Sequence, residues 1–99
     1  MDLILVFGLG DELYGLEVGS IQEIVDSPDI NFIPRAPAAY LGAVNFHGTI
    51  LPVLDLAGLL GFAVEGRDHR IIVLSADICS LALAVSSIRR CLLYTSPSP

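Results

Sequence analysis

Lysine does not occur in this 99-residue chain, and five arginines stand against eleven carboxylates for a formal charge of −6. That excludes a Walker-type phosphate loop and any Schiff-base or lysine-nucleophile chemistry. The acidic balance also disfavours nucleic acid, whose binding draws on counterion release by clustered cations. Cysteine is scarce: Cys79 and Cys91 are spaced for neither a metal knuckle nor a disulfide framework, and Cys79 reads as a small buried hydrophobe. His47 and His69 lie 22 positions apart with no neighbouring cysteine or third histidine, so no metal site is set out. Long apolar runs are missing too. Although 54% of residues are hydrophobic, Gly, Asp, Glu, Pro or Ser interrupts each stretch well short of the roughly eighteen needed for a membrane helix. Met1-Asp2 places no basic region ahead of Leu3–Leu9, so that run reads as a first strand and not a signal peptide, and the expected location is cytoplasmic. No cofactor motif is complete. Gly8-x-Gly10 follows a strand as a dinucleotide loop does, but Leu13 stands where the third glycine belongs, which leaves a hairpin turn.

What is present suits one small, strand-rich domain. Leu3–Phe7 and Leu13–Leu16 form a hairpin around Gly10-Asp11-Glu12, with Tyr14 and Leu16 on one face. Val18, Ile21, Ile24 and Val25 recur at intervals of three and four, which predicts a short amphipathic helix carrying Glu17, Gln22, Glu23 and Asp26 outward. Asn31-Phe32-Ile33 is a brief strand before Pro34 and Pro37. Arg70–Leu74 and Leu81–Val85 form a second hairpin around Asp77-Ile78-Cys79-Ser80.

The most informative stretch is Gly42 to Leu56. Val44 and Phe46 alternate with Asn45 and His47, Gly48 allows a tight reversal, and Ile50–Leu54 resumes as a strand. Pro52 cannot donate to a ladder, which places its strand at a sheet edge or a bulge. Asp55 reads as the N-cap of a short helix through Leu56, Leu59 and Leu60 that Gly61 stops. The pattern Asn45-x-His47-Gly48, three residues, then Pro52-Val53-Leu54-Asp55-Leu56 resembles the signature of the CheW-like domain, the fold of the bacterial chemotaxis coupling protein. The family usually carries arginine where this chain has His47. Ile33–Gly42, with its spaced prolines, resembles the family's approach through one helical turn into that strand. Phe7–Leu16, including Tyr14 and Gly15, followed by Ile21–Ile24, resembles its opening hairpin and the short helix after it.

The resemblance implies a mostly β, CheW-like fold of two SH3-like β-barrel subdomains with short helices, the second barrel incomplete and containing residues 70–74 and 81–85. It implies a non-catalytic adaptor with two protein partners. One face would dock the regulatory domain of a CheA-type histidine kinase, and a groove between the barrels would receive the cytoplasmic tip of a chemoreceptor. It places Glu23 beside the Asn45-x-His47-Gly48 turn on a surface for signalling contacts. Asn45 and Asp55 read first as backbone-bonding residues, and Glu23 by itself as part of a solvated face. Two rivals stand: a CheW-like domain belonging to the kinase itself or to a receiver-fused coupling protein, and a small β-barrel hydrolase using His47, Asp55 and a serine. The hydrolase lacks a Gly-x-Ser-x-Gly elbow. The CheW-like pattern covers residues 1–90 as a partial domain. Residues 91–99 break it, and six of them are what a transposase-library adapter would encode in one frame; a natural Ser/Pro tail is the alternative.

Overall fold

The structure is a computed structural model that describes residues 2–62 and 66–94, with the backbone alone described at residue 2 and at 90–94. Two antiparallel hairpins carry most of the fold. The first joins β1 (Asp2–Leu9) to β2 (Glu12–Glu17) with Leu9 opposite Glu12, a two-residue turn in which Gly10 takes the positive φ of 60°. The second joins β4 (Tyr40–Phe46) to β5 (Thr49–Asp55). β3 (Ile21–Asp26), β6 (Arg70–Leu74), β7 (Ala82–Ala84) and β8 (Ser87–Tyr94) complete two sheets, ordered β2-β1-β8 and β3-β6-β7-β5-β4. The fold is mostly β, as expected, and is built of these two sheets.

Alternation along β6 and β7 builds two cores at once. Ile72 and Leu83 face Leu5, Phe7, Leu9 and Ile88 of the smaller sheet, with Val85 from the link between β7 and β8. Ile71, Val73, Ala82 and Ala84 face Val44, Leu51 and Val53 inside the larger one. This hairpin is therefore apolar on both faces, as strands sandwiched between layers must be. The larger sheet curls into a small barrel whose outer strands approach each other, with Val25 of β3 packed in the cluster that holds Val44 of β4.

Several expectations are corrected. Residues 18–25 are a 3-10 turn, Val18–Ser20, followed by a strand. The helical spacing arises from a bulge: Ile21 pairs with Leu74 and Glu23 with Val73, so two residues of β3 oppose one of β6. The extra residue resets the alternation and leaves Ile21 and Ile24 on one core, where a regular strand would put them on opposite faces. Residues 70–74 and 82–84 belong to the same barrel as the β4–β5 hairpin, and both are interior strands without a free edge. Pro52 lies in an interior strand, yet its local position satisfies the ladder. Ala43, its partner, exchanges both backbone hydrogen bonds with Asn31 at 2.8 and 2.9 Å, so the Ala43–Pro52 pair is not hydrogen-bonded and the Pro52 nitrogen points toward β7. Pairing with β7 starts one residue later, at Val53. Asn31 makes an isolated bridge in place of a strand. Ile33–Ala36 and Pro37–Tyr40 form two successive turns in place of the helical turn, with Pro34 and a positive-φ Arg35 at the centre of the first. Cys79 is exposed, because its turn between β6 and β7 faces solvent. β8 pairs with β1 through Tyr94, so 91–94 form paired strand where the regular pattern was expected to stop; residues 95–99 of the proposed tail lie outside the described residues.

The two sheets are pinned by one carboxylate. Asp68 accepts from Arg70 Nε at 2.9 Å, Arg70 Nη2 at 3.0 Å, the Arg70 amide at 3.0 Å and the Ile88 amide at 2.8 Å, so it ties β6 to β8. The Arg70 guanidinium, aided by the Ile88 and Arg70 amides and opposed by partial burial, holds the Asp68 carboxyl well below the usual carboxylate range. A depressed carboxyl adds stability that is present above its unfolded pKa of about 4 and is lost as pH falls toward its folded value. Asp68→Asn is expected to cost about 1.5–3 kcal/mol in urea unfolding at pH 7. The gap from wild type should hold from pH 8 to 5 and narrow below about pH 4; a gap that persists unchanged into acid would show that charge plays no part.

Candidate functional site

The β4–β5 turn is built to project one side chain. His47 and Gly48 both have positive φ, 50° and 84°, the type I′ geometry that matches the twist of a two-residue hairpin. Histidine tolerates this region better than most residues, and glycine adopts it without steric cost. Asn45 Oδ1 accepts a 2.9 Å hydrogen bond from the Gly48 amide and fastens the turn from inside. Phe46 braces it further, its ring centroid 4.3 Å from that of His47 in an edge-on contact.

Across the barrel mouth, the β3 bulge aims Glu23 at this turn. His47 Nε2 lies 3.7 Å from Glu23 Oε1, with the side chains 74% and 49% exposed. The approach expected between these residues is present, although Glu23 reaches it from a strand and not a helix. A pair this exposed contributes about 0–1 kcal/mol, so its value lies in the charge pattern it presents. Beneath it opens a cavity of about 290 Å³ lined by Gln22, Phe46, His47, Leu51 and Val73 among others.

The remaining motif residues hold the frame. Gly42 combines a φ of 153° with a position where a Cβ would run into the Asn31 carbonyl, so glycine is required at the bulge entering β4. Asp55 is buried and caps α1 (Leu56–Leu59) through the Gly58 amide at 3.3 Å. Its second oxygen accepts from Arg67 Nη2 at 3.0 Å. Leu56 opens the helix and packs on the core beside β1. Gly61 closes the helix with φ 84° while the Phe62 amide reaches back to Ala57 O at 2.9 Å, a Schellman ending. Tyr14 lies between Phe7 and Phe62, at centroid distances of 6.2 and 6.3 Å, and donates to Glu12 at 2.6 Å. Gly15 sits where a Cβ would come within 2.8 Å of Ile4.

His47 and Asp55 do not meet. They stand at opposite ends of β5, roughly 20 Å apart at strand rise, and each is engaged elsewhere. Among the described residues no group of three or more His, Cys, Asp or Glu converges as a metal site would require, and no helix is long and apolar enough to cross a membrane. Sequence reasoning missed Arg67, Asp68 and Arg70 as structural residues. The signal was available, since Arg67–Arg70 is a dense run of ionisable residues in a chain where few occur.

The CheW-like domain family matches residues 3–93. The chain is 30% identical over 93 residues to a chemotaxis protein CheW of Treponema pallidum, covering 88% of this chain and 55% of that protein. It is 29% identical over 75 residues to a probable chemotaxis protein CheW of Rhizobium etli, covering 76% and 48%. The chain thus spans about half the length of these relatives. The crystal structure of the scaffolding protein TtCheW from Thermoanaerobacter tengcongensis superposes with a TM-score of 0.82 at 32% identity, over 92% of this chain and 64% of that one. With the opening hairpin, the β4–β5 turn and the capped helix after it all in place, the chain belongs to the CheW-like domain family.

Proposed function

We propose that this chain is part of a non-catalytic cytoplasmic adaptor that couples chemoreceptors to a CheA-type histidine kinase. The observation that carries the reading is the exposed Glu23–His47 pair, displayed from a strand and a turn that the barrel sets side by side. A rim charge presented this way favours orienting a partner over adding stability. Glu23, Asn45, His47 and Gly48 act together here: two present the charges, and two set the backbone that aims them. The names of the relatives and their shared fold support chemotaxis-type signalling as the setting.

Arginine at position 47 would keep a permanent, fork-shaped cation, whereas histidine as a residue type changes charge between pH 5 and 8. His47→Arg is therefore expected to tighten binding to the isolated regulatory domain of a CheA-type kinase by up to about fivefold, the equivalent of about 1 kcal/mol. Calorimetric titration should find the larger gain at low salt and the smaller at high salt, where exposed charges are screened. Equal gains at both would remove charge from the explanation, and no binding by either chain would remove the adaptor reading.

We also propose that the native sequence departs from this one after Arg90. Pairing with β1 demands only a strand-forming run, which residues 91–94 supply whatever their origin. Resequencing the source DNA past codon 90 is expected to give different codons; the same nine residues in independently prepared libraries would establish the tail as natural.

A further inference from the structure

The five-stranded barrel closes without a ladder between its outer strands. Among the described residues β3 pairs only with β6 and β4 only with β5, so the seam between β3 and β4 is crossed by side chains: Val25 reaches the cluster that holds Val44, and Glu23 meets His47. A cavity of about 140 Å³ lies along that seam, lined by Val25, Asn31, Val44 and Asn45 among others, so the packing across it is incomplete. What covers the seam is the connection between the two strands. Its ends are fixed, since the Ser27 amide donates to His69 O at 2.9 Å and Ala39 O accepts from the Asp55 amide at 2.7 Å. Between them the backbone reaches the sheet at one residue, Asn31, which exchanges both of its hydrogen bonds with Ala43. Gly42 makes room for this clasp, because a Cβ there would run into the Asn31 carbonyl. Little else holds the segment down. Ile30 adds a partly buried side chain to the larger core, while Phe32 and Ile33 stand exposed. Ser27 and Arg35 hold φ of 49° and 66° without being glycine, a conformation that persists only where the surroundings enforce it.

We infer that residues 28–38 form a strap that latches the barrel at Asn31 and opens as a unit of its own, parting the seam while both sheets stay paired. Opening breaks two hydrogen bonds and withdraws Ile30, and it costs no ladder bond of β3 or β4. A closed strap holds Glu23 and His47 together as one face, and an open strap lets them separate. The device belongs to the barrel and is independent of the adaptor reading, so its test uses no partner.

Ala43 reports the latch. The Phe46–Thr49 pair closes the β4–β5 turn, and hydrogen-bonded pairs alternate back from it to Val44–Leu51, so the Ala43 amide has Asn31 O as its acceptor while the Val44 amide is held by β5. Native-state hydrogen exchange followed by NMR on the full chain is expected to find the Asn31 and Ala43 amides opening together, protected at least about tenfold less than Val44. Asn31→Pro removes the donor to Ala43 O. It is expected to cut Ala43 protection by about a further tenfold and to weaken the Val25–Val44 methyl contact, with Val44 and residues 71–73 protected as before. Asn31→Ala keeps both backbone bonds and should match the wild-type chain. Equal protection of Ala43 and Val44 in the wild-type chain would overturn the strap, whether or not the proline variant folds. So would loss of protection at Val44 and residues 71–73 together with Ala43 in a folded Asn31→Pro chain, which would make the strap one cooperative unit with the barrel. An equal effect of Asn31→Ala would overturn the backbone latch by assigning it to the side chain.

Discussion

Burial of the β6–β7 hairpin on both of its faces is the constraint from which the rest of the architecture follows. A strand pair that is apolar above and below needs a layer on each side, and the chain supplies them differently. On one side β1 and its neighbours cover Ile72 and Leu83; on the other the sheet curls so that Leu51, Val53 and Val44 cover Ile71, Val73, Ala82 and Ala84. The alanines matter in this. Small side chains at 82 and 84 let the curl close tightly, which brings β3 and the β4–β5 turn together and so creates both the Glu23–His47 pair and the cavity below it. The site is a by-product of closing a core.

The polar anchors sit where these layers join. Asp68 links β6 to β8 through Arg70 and the Ile88 amide, while Asp55 links the end of β5 to the loop through Arg67. Each is a carboxylate with little exposure whose hydrogen bonds are made in full, which is the condition for burying a charge without large cost. With so few cations in the chain, two of its five arginines are committed to these structural joints. His47 at the projecting turn stands outside these joints, exposed beside Glu23.

Much of this was legible beforehand, for identifiable reasons. The β1–β2, β4–β5 and β6–β7 hairpins announced themselves through alternation and turn residues, and Asp55 and Gly61 bracketed the helix as capping chemistry requires. The misreadings share a cause: each concerned a local pattern whose meaning depends on a distant partner. Ile21 and Ile24 mimic helical spacing because a bulge against Val73 and Leu74 shifts the alternation. Pro52 reads as an edge signal because the sequence does not show that pairing with β7 begins only at Val53. That residues 70–74 and 82–84 are interior strands of a five-stranded sheet, and not part of an open one, is a fact of the same kind at larger scale, since sheet order follows from long-range pairing and not from local pattern. The Glu23–His47 approach was reached through family resemblance; composition and periodicity alone held no trace of it.

The central claim, that the β6–β7 hairpin buried on both faces is the most stable part of the molecule, is tested most directly by native-state amide hydrogen exchange resolved by residue. Slowest exchange is expected at Ile71–Val73 and Ala82–Ala84, the interior strands buried on both faces, with β2 and β8 opening at lower free energy. Exchange at residues 71–73 and 82–84 as fast as in β2 would contradict the account, because the hairpin on which both cores are built would then not be the most stable part of the molecule.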